Sequence, residues 1–481
     1  MPTLDRRSFL TRGAAAAGTA AVSTTLFQTL NNAAGASRST LGHHGLKGRK
    51  GDGGYGPLAR TADQNGDEIL ALPDGFEYVT FSKIGDMMSD GTPVPVSHDG
   101  MAAFRGHRNT TLLIRNHEVR SDPGTVEGSV QAPEDTKYDA LGVGGNVSVV
   151  FDTRRGRVLR EFVSFAGSFT NCAGGIAFRN AGWITCEETV EGPNDGWAQK
   201  HGYSYLVRTS ADGPEKSPPI TGMGRFAHEA VATDPRSGFV YQTEDDGNDS
   251  GFYRFRPRDP RNLTQGGRLE MLAVKGEPAR QMITGQQVGE SLRVEWVRID
   301  DPDPDLEGGG TPVALQGIAK GGALFNRLEG SWYDQRSRGF FFTSTSGGDA
   351  ALGQVWHYDP RWDRLTLFFE SSGGSVLDSP DNLLVTPRGG IVLCEDDASG
   401  ADNDTHPLAP GIVDINRLVG LNRKGEAFEF AVNVFSDSEF AGATFSPDGE
   451  VLFVNIQGNG VPTPGSGMTC AITGPWHRGA L

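Results

Sequence analysis

The chain has 481 residues and a formal net charge of −16, from 44 basic and 60 acidic side chains. Nucleic-acid binding is not expected, because no basic stripe in the sequence offsets the acids. The 67 glycines and 27 prolines, together with the scarcity of helical periodicity, favour an all-β fold over an α/β fold.

Residues 1–36 have the order of parts found in a twin-arginine signal peptide. DRRSFL, from Asp5, supplies the arginine pair, a weakly apolar stretch follows, and Ala34-Gly35-Ala36 offers a cleavage site. The alternative is a chance arginine pair ahead of a disordered tail. The apolar stretch is too short and too rich in small residues for stable insertion into a membrane. We predict export by the twin-arginine machinery to the periplasm or the exterior.

The remainder is predicted to hold a short tail and one folded unit. Residues 37–69 begin with a stretch rich in Gly, Ser and Lys and are interpreted as a flexible mature N-terminus. Residues 70–481 are interpreted as a single domain that starts with the strand pair LPDGFEYVTFSK. We expect a monomer.

One short phrase recurs along this domain: apolar residues with a period of two, a turn, a second apolar run, and then acids. Each copy predicts a β-hairpin, because the connectors are of the PxxG or PDG kind. Six hairpins at irregular intervals predict a six-bladed β-propeller with insertions. The longest interval, between the third and fourth copies, predicts an insertion in one blade. The copies begin at His98, Cys172, His228, Leu328, Pro380 and Phe440.

The acids of these phrases occupy equivalent positions. The first residue of one hairpin strand and the last residue of the next lie at the same end, so six hairpins around one axis would bring their acids to one mouth of the channel. Such crowding raises the pKa of each carboxyl unless cations neutralise the charge. A site for several metal ions at this mouth is therefore expected. The acids that open hairpins are Asp99, Glu229, Glu329 and Asp381, and those that close them are Glu118, Glu187, Glu188, Glu244, Asp245, Glu395 and Asp396.

Cys172 and Arg327 add to this interpretation. Cys172 opens a hairpin beside the acids, where it is either a thiolate ligand or one partner in a disulfide with another of the four cysteines. Arg327 lies two residues before Glu329, so both side chains leave a strand on the same side. Its guanidinium either pairs with an acid or contacts the oxygens of a phosphate group. Oxygen-rich donor sets select calcium, whereas a thiolate among carboxylates favours iron.

The chain resembles the PhoX family of exported alkaline phosphatases. The resemblance rests on RNHE, NCAGG, WITCEE, GRFAHEAV, SPDNL and FVNIQ, and it spans nearly all of the predicted mature chain. It implies a propeller that holds two ferric ions and up to three calcium ions at one end of the channel. It also implies hydrolysis of small phosphoesters, mainly phosphomonoesters.

The resemblance also implies roles for individual residues. The iron-binding thiolate of the family falls on Cys172, and the arginine and glutamate of its Arg-Pro-Glu unit fall on Arg327 and Glu329, with Leu328 in place of proline. Arg327 and Cys172 are the predicted catalytic residues. The predicted metal ligands are Cys172, Glu187, Glu188, Glu229, Glu329, Asp381, Glu118 and Glu395.

Two other functions remain open from the residues alone. One is a non-catalytic propeller that is stabilised by calcium and binds a partner, and the other is a calcium-dependent propeller lactonase or esterase. Elemental analysis distinguishes them from the phosphatase, because only the phosphatase requires iron together with calcium.

Overall fold

The computed structural model describes residues 54–397 and 403–481. The predicted signal peptide and most of the predicted N-terminal tail lie outside these residues. Within them β-strands dominate, and no helix is long and apolar enough to cross a membrane. One short α-helix, α1 (Val313–Ile318), accompanies 3-10 helices at Glu134–Thr136, Phe178–Asn180, Pro193–Asp195, Thr221–Met223, Gly247–Asp249, Leu263–Gln265, Leu306–Gly308 and Trp476–Arg478.

The strands form six antiparallel blades, numbered in chain order from the first predicted hairpin. The strands before blade 1 are β1 (Leu58–Ala62), β2 (Glu68–Pro73) and β3 (Glu77–Phe81). Blade 1 comprises β4 (His98–Arg105), β5 (Thr110–His117), β6 (Gly144–Asp152) and β7 (Arg157–Ser168). Blade 2 comprises β8 (Asn171–Ile176), β9 (Gly182–Glu187) and β10 (Ser204–Arg208). Blade 3 comprises β11 (His228–Thr233), β12 (Val240–Glu244), β13 (Phe252–Pro257) and β14 (Gly267–Val274), followed by the inserted strand β15 (Ser291–Arg298).

The later blades follow the same plan, with each strand antiparallel to the one before it. Blade 4 comprises β16 (Leu328–Asp334), β17 (Gly339–Ser344), β18 (Gln354–Asp359) and β19 (Arg364–Glu370). Blade 5 comprises β20 (Pro380–Val385), β21 (Ile391–Glu395), β22 (Arg417–Leu421) and β23 (Ala427–Asn433). Blade 6 comprises β24 (Phe440–Phe445), β25 (Val451–Ile456) and β26 (Met468–Thr473).

All six predicted hairpins form, and they are the first two strands of the six blades. The inner strands β4, β8, β11, β16, β20 and β24 contact one another in that order, and β24 contacts β4. The ring therefore closes, which confirms the predicted six-bladed propeller. The predicted insertion is β15, which pairs with β14 and β19 and so joins the outer edges of blades 3 and 4.

The N-terminal strands complete the last two blades. β3 pairs with β26 and supplies the outer strand of blade 6, whereas β2 pairs with β23 and places β1 at the outer edge of blade 5. Tyr55 packs edge-on against Phe76 and hydrogen-bonds to Leu481. The described part of the predicted N-terminal tail thus includes β1 and the start of β2. β2 is stabilised by pairing with β23, far away in the sequence, and β1 pairs with β2.

Apolar side chains fill the space between neighbouring blades. Between blades 3 and 4, for example, Phe252 stacks on Phe342 with ring centroids 4.2 Å apart, and Tyr241 lies against Phe340. Full burial of one such aromatic side chain contributes roughly 1.5–3 kcal/mol. These layers hold the six inner strands in fixed positions around the channel.

Candidate metal centre

Each inner strand contains a β-bulge close to its start. In every inner hairpin two residues of the first strand oppose one residue of the second, as between His98 and Met101 in blade 1. A bulge breaks the alternation of side chains and redirects the residue it contains. The first bulged residues of blades 1 to 6 are Asp99, Cys172, Glu229, Glu329, Asp381 and Gly442. Five of the six bulges thus present a side chain that can bind a metal ion.

Small residues let these bulges approach one another. A Cβ added to Gly100 would lie 2.5 Å from the Cα of Ala173 in blade 2, and one added to Gly330 would lie 2.5 Å from the amide nitrogen of Leu383 in blade 5. The backbones of successive bulges are therefore in direct contact, which brings their acidic side chains close together at the narrow mouth.

The result is a series of four adjoining donor sets. In each set, one donor atom from each of three residues lies within 4.8 Å of the others. Glu229, Asp381 and Glu439 each belong to two sets, so neighbouring sets share a carboxylate. The sets are Cys172–Glu188–Glu229, Glu229–Glu329–Asp381, Asp381–Asp396–Glu439 and Asp99–Glu118–Glu439. These clusters could bind several metal ions around one mouth of the channel.

Burial and mutual repulsion make this arrangement unfavourable without cations. Burial, and then the neighbouring carboxylates of Glu329 and Asp381, raise the pKa of Glu229 well above its usual range. Burial, and then Asp245, raise the pKa of Glu329 in the same direction. Neither carboxylate oxygen of Glu229 has a hydrogen-bond partner, and an unsatisfied buried polar group costs about 1–3 kcal/mol. Bound cations would remove both costs, so these residues fit a metal site.

Cys172 is the soft donor of the group. Its Sγ lies 3.2 Å from the carbonyl oxygen of His228, and burial followed by the charge of Glu229 raises the pKa of the thiol well above its usual range. All four cysteines are free, so no disulfide competes for this sulfur. A buried thiol beside carboxylates becomes a good ligand only when a metal ion displaces its proton.

Glu187, one of the predicted ligands, lies outside the four sets. Its carboxylate accepts hydrogen bonds from the backbone amides of Phe169, Gly202 and Tyr203, from His201 and from the hydroxyl of Tyr205. All five partners fix blade 2 and the loop above it. These hydrogen bonds occupy both oxygens of the carboxylate, which the structure thus places in the support of blade 2.

Glu395, a second predicted ligand, also lies outside the sets. Arg417 donates two hydrogen bonds to it, and the backbone amide of Asp378 donates a third. The next residue, Asp396, belongs to a donor set instead. In the pairs Glu187–Glu188 and Glu395–Asp396 the first acid thus bonds within its own blade and the second reaches the mouth, because consecutive side chains point to opposite sides.

Two arginines lie among the acids. Arg327 donates a 2.7 Å hydrogen bond to Glu329 Oε1 and a 3.3 Å hydrogen bond to Asp245 Oδ2. Arg120 bridges Glu118 and Glu188, which belong to different donor sets. The structure therefore places Arg327 within the candidate site and adds a second guanidinium between acids of blades 1 and 2.

Two further residues are absent from the set of ligands predicted from the sequence, although both had a signal. Asp99 opens the first phrase, and Glu439 directly precedes the sixth phrase at Phe440. Glu439 is buried and shared between two donor sets. The sixth phrase has glycine at its bulge and no acid at its close, so the acid of blade 6 comes from the residue just before the strand.

Comparison with known proteins gives one family match and several structural likenesses. The family model described as alkaline phosphatase PhoX matches residues 53–460. The chain is similar to the structure of Pseudomonas fluorescens PhoX in complex with vanadate, a transition-state analogue, with 18% identity, a TM-score of 0.65 and coverage of 89% of this chain and 99% of that chain. No curated protein matches the sequence.

Two other solved structures are less similar. A Dyadobacter fermentans protein of unknown function has 11% identity and a TM-score of 0.45 over 84% of this chain and 100% of that chain. Regucalcin from Agrobacterium tumefaciens, a calcium-binding protein, has 10% identity and a TM-score of 0.39 over 82% of this chain and 96% of that chain. The family match spans most of the chain, including every donor set. The chain therefore belongs to the PhoX family of alkaline phosphatases, and it is a phosphatase.

Proposed function

We propose that this phosphatase releases phosphate from small organic phosphomonoesters and that it depends on iron and calcium bound at the mouth of the propeller. The observation that supports the proposal best is the run of four adjoining donor sets, in which Glu229 and Glu329 are buried with unpartnered oxygens. Such a run suits several cations side by side. It does not suit a protein that works without metal.

The donor sets differ in chemistry. Cys172, Glu188 and Glu229 combine a sulfur with carboxylate oxygens, which favours iron over calcium. The other three sets offer only carboxylates, which favours calcium. When bound, such ions supply Lewis-acid activation and neutralise the charge of the phosphoryl group. We assign up to two ferric ions to the neighbourhood of Cys172 and up to three calcium ions to the remaining sets.

The protein's own contribution to phosphate binding is assigned to Arg327. Its guanidinium lies at the mouth, is mostly buried, and is held by Glu329 and Asp245 on blades 4 and 3. A planar guanidinium can donate two parallel hydrogen bonds to phosphoryl oxygens, and a preorganised donor of this kind stabilises charge that develops in the transition state. The carboxylates orient Arg327 and keep it ready for the substrate.

The metal requirement can be tested with the purified full chain. We expect hydrolysis of p-nitrophenyl phosphate to stop after chelation and dialysis, and to return only when iron and calcium are supplied together. Elemental analysis before and after chelation reports which ions leave. Normal turnover after both metals have been removed would contradict the proposal, and recovery with calcium alone would contradict the role of iron.

Export is a separate proposal, and the twin-arginine pattern at Arg6 and Arg7 supports it. We propose that the enzyme acts in the periplasm or outside the cell. Replacement of both arginines by lysine should leave the protein and its activity in the cytoplasmic fraction. Unchanged secretion of the Arg6→Lys/Arg7→Lys variant would contradict export by this pathway.

A further inference from the structure

The end of the propeller opposite the metal centre is positively charged, whereas the metal centre is negatively charged. The strands of a blade alternate in direction, so the turns after the first and third strands lie at the end away from the mouth. We call these the basal turns. The name covers only the short turns that join two consecutive strands of one blade, at residues 106–109, 153–156, 177–181, 234–239, 258–266, 335–338, 360–363, 386–390, 422–426 and 446–450.

The basal turns contain 13 basic and six acidic residues. The loops after the second strands, at the mouth, span residues 118–143, 188–203, 245–251, 345–353, 396–416 and 457–467. Their described part contains 17 acidic and three basic residues. The net charge of −16 for the whole chain therefore conceals two ends of opposite sign.

At two of the basal turns an aspartate points inwards and the neighbouring arginine points outwards. Asp234 accepts hydrogen bonds from the backbone amide of Arg236 and the hydroxyl of Ser237, and its side chain is 7% exposed while that of Arg236 is 45% exposed. Asp152 caps the backbone amides of Arg154 and Arg155 in the same way. These two aspartates are used to form their turns, whereas Asp363, Glu426, Asp448 and Glu450 are exposed. Basic side chains therefore outnumber acids on the outward surface.

Three arginines from two blades form the densest part of this surface. Arg336 donates to the carbonyl oxygen of Pro387, and Arg423 donates to that of Arg388. A Cβ added to Gly389 would lie 3.0 Å from both Arg336 Cδ and Arg423 Nε. The structure gives none of these three guanidiniums an ion pair with any described carboxylate. They are like charges held together, which is unfavourable unless an anionic partner lies against them.

Another basal turn contains an exposed tryptophan. Trp362 is 73% exposed in the basal turn of blade 4, beside Arg361. Tryptophan is favoured at the interface between lipid headgroups and water, because its ring is apolar and its N–H is polar. Trp362 lines a pocket with Lys275, Arg293 and Arg364. An exposed indole beside basic side chains suits a bilayer surface better than a fully hydrophilic polyanion.

We propose that the basal turns dock peripherally on a bilayer that contains anionic lipids. The guanidiniums would contact lipid phosphates, and Trp362 would lie at headgroup level. The acidic metal centre would then face away from the membrane towards dissolved substrate, and the repulsion between its acids and the anionic lipids would favour this orientation. The docking requires no membrane-spanning segment.

Vesicle co-sedimentation of the purified full chain tests this proposal. We expect binding to vesicles of phosphatidylcholine with about 30% phosphatidylglycerol but not to phosphatidylcholine alone, and release in about 1 M salt, where charges are screened within a few ångströms. The triple variant Arg336→Glu/Arg388→Glu/Arg423→Glu should reduce partitioning more than tenfold. Trp362→Ala should reduce it by a smaller factor that persists in high salt.

A second triple variant controls for net charge. Lys137→Glu/Lys216→Glu/Arg298→Glu makes the same change in charge outside the basal turns, and it should retain binding to the anionic vesicles. Unchanged p-nitrophenyl phosphate hydrolysis shows that each variant is folded. The proposal is overturned if wild-type protein ignores anionic vesicles, if both triple variants bind equally, or if the basal arginines retain soluble heparin but not vesicles.

Discussion

Arg327 and Glu329 face one another across the start of an inner strand, with Arg327 Nη2 2.7 Å from Glu329 Oε1. Arg327 has a positive φ of 47°, and the bulge that follows it redirects Glu329. The backbone thus departs from regular strand geometry at the point where the two side chains meet. A cation and a carboxylate are in this way fixed side by side at the mouth of the channel.

Replacement of Arg327 should impair catalysis more than metal binding. We expect Arg327→Ala to lower kcat/KM by roughly 10²–10³-fold, the usual cost of removing a preorganised donor to a developing anion. Arg327→Lys should recover only part of this loss, because lysine cannot form the two parallel hydrogen bonds. Steady-state kinetics together with elemental analysis checks the expectation. Arg388→Ala, at the other end of the propeller, is the matched control, and equal losses in both variants would remove the case for Arg327.

Cys172 should be required for iron and not for calcium. We expect Cys172→Ser to weaken iron binding by at least about 10–100-fold, because loss of a residue that only hydrogen-bonds to a metal ligand already has an effect of this size. The calcium content should stay unchanged. Cys186 is also buried but belongs to no donor set, so Cys186→Ser is the control. Elemental analysis of both proteins decides, and retention of iron by Cys172→Ser would contradict the assignment.

Substitutions of Glu187 and Glu188 should have different effects: one should lower stability and the other should weaken metal binding. Glu187→Gln places an amide NH2 group against donors such as the backbone amides of Gly202 and Tyr203, so we expect a loss of about 1–3 kcal/mol in the free energy of unfolding. Glu188→Gln should instead lower metal content and activity with little change in stability of the metal-free protein. Thermal unfolding after chelation, combined with metal analysis, distinguishes the two. The opposite pattern would mean that the two side chains exchange places when metal binds.

The repeated phrases were sufficient to predict the propeller, because a period of two and a turn dictate a hairpin whatever the later packing. They could not predict which acid of a pair reaches the mouth. That choice depends on which of two consecutive side chains points towards the channel where the second strand ends, and it places Glu188 and Asp396, rather than Glu187 and Glu395, in the donor sets. Glu439 was missed because it lies one residue before the apolar phrase at Phe440. The N-terminal strands could not be predicted from local pattern, because β2 pairs with β23, far away in the sequence, and β1 pairs with β2.

Once its metal ions have been removed, the protein should become less stable as the pH rises. Burial raises the pKa of Glu244 to about 8, and it raises the pKa of Glu229 well above its usual range. A carboxyl with a raised pKa in the folded state stabilises the fold fully below its unfolded pKa, and this contribution is lost as pH increases through the folded value. We expect the free energy of unfolding of the metal-free protein to decrease between about pH 5 and 8, with Glu244 contributing on the order of 4 kcal/mol.

Thermal unfolding at several pH values, with and without metal, tests this expectation. The metal-loaded protein should lack the part of the slope that arises from Glu229, since a bound cation keeps that carboxylate ionised. Glu244 belongs to no donor set, so Glu244→Gln should flatten the slope in both states. A metal-free protein that becomes more stable towards pH 8 would show that these carboxyls are already ionised without metal.

Gly442 is the first bulged residue of the inner strand of blade 6, where the other five blades have a side chain that can bind metal. The packing around it explains why this residue is glycine. It has a φ of 62°, and a Cβ added there would lie 2.4 Å from the carbonyl oxygen of Asp99. That carbonyl also accepts a hydrogen bond from Asn455 in blade 6. Blades 6 and 1 therefore meet backbone to backbone at the point where the ring closes.

We expect Gly442→Ala to lower the free energy of unfolding by about 1–3 kcal/mol through backbone strain and a further amount through the clash. Gly285 has a φ of 73° with no atom within 4 Å of an added Cβ, so Gly285→Ala reports the backbone strain without the clash. Chemical denaturation of both variants gives the difference directly. Because the clash displaces Asp99, Gly442→Ala should also weaken metal binding in the Asp99–Glu118–Glu439 set, an effect that Gly285→Ala should lack. Equal stability and equal metal content in the two variants would mean that closure of the ring does not depend on this contact.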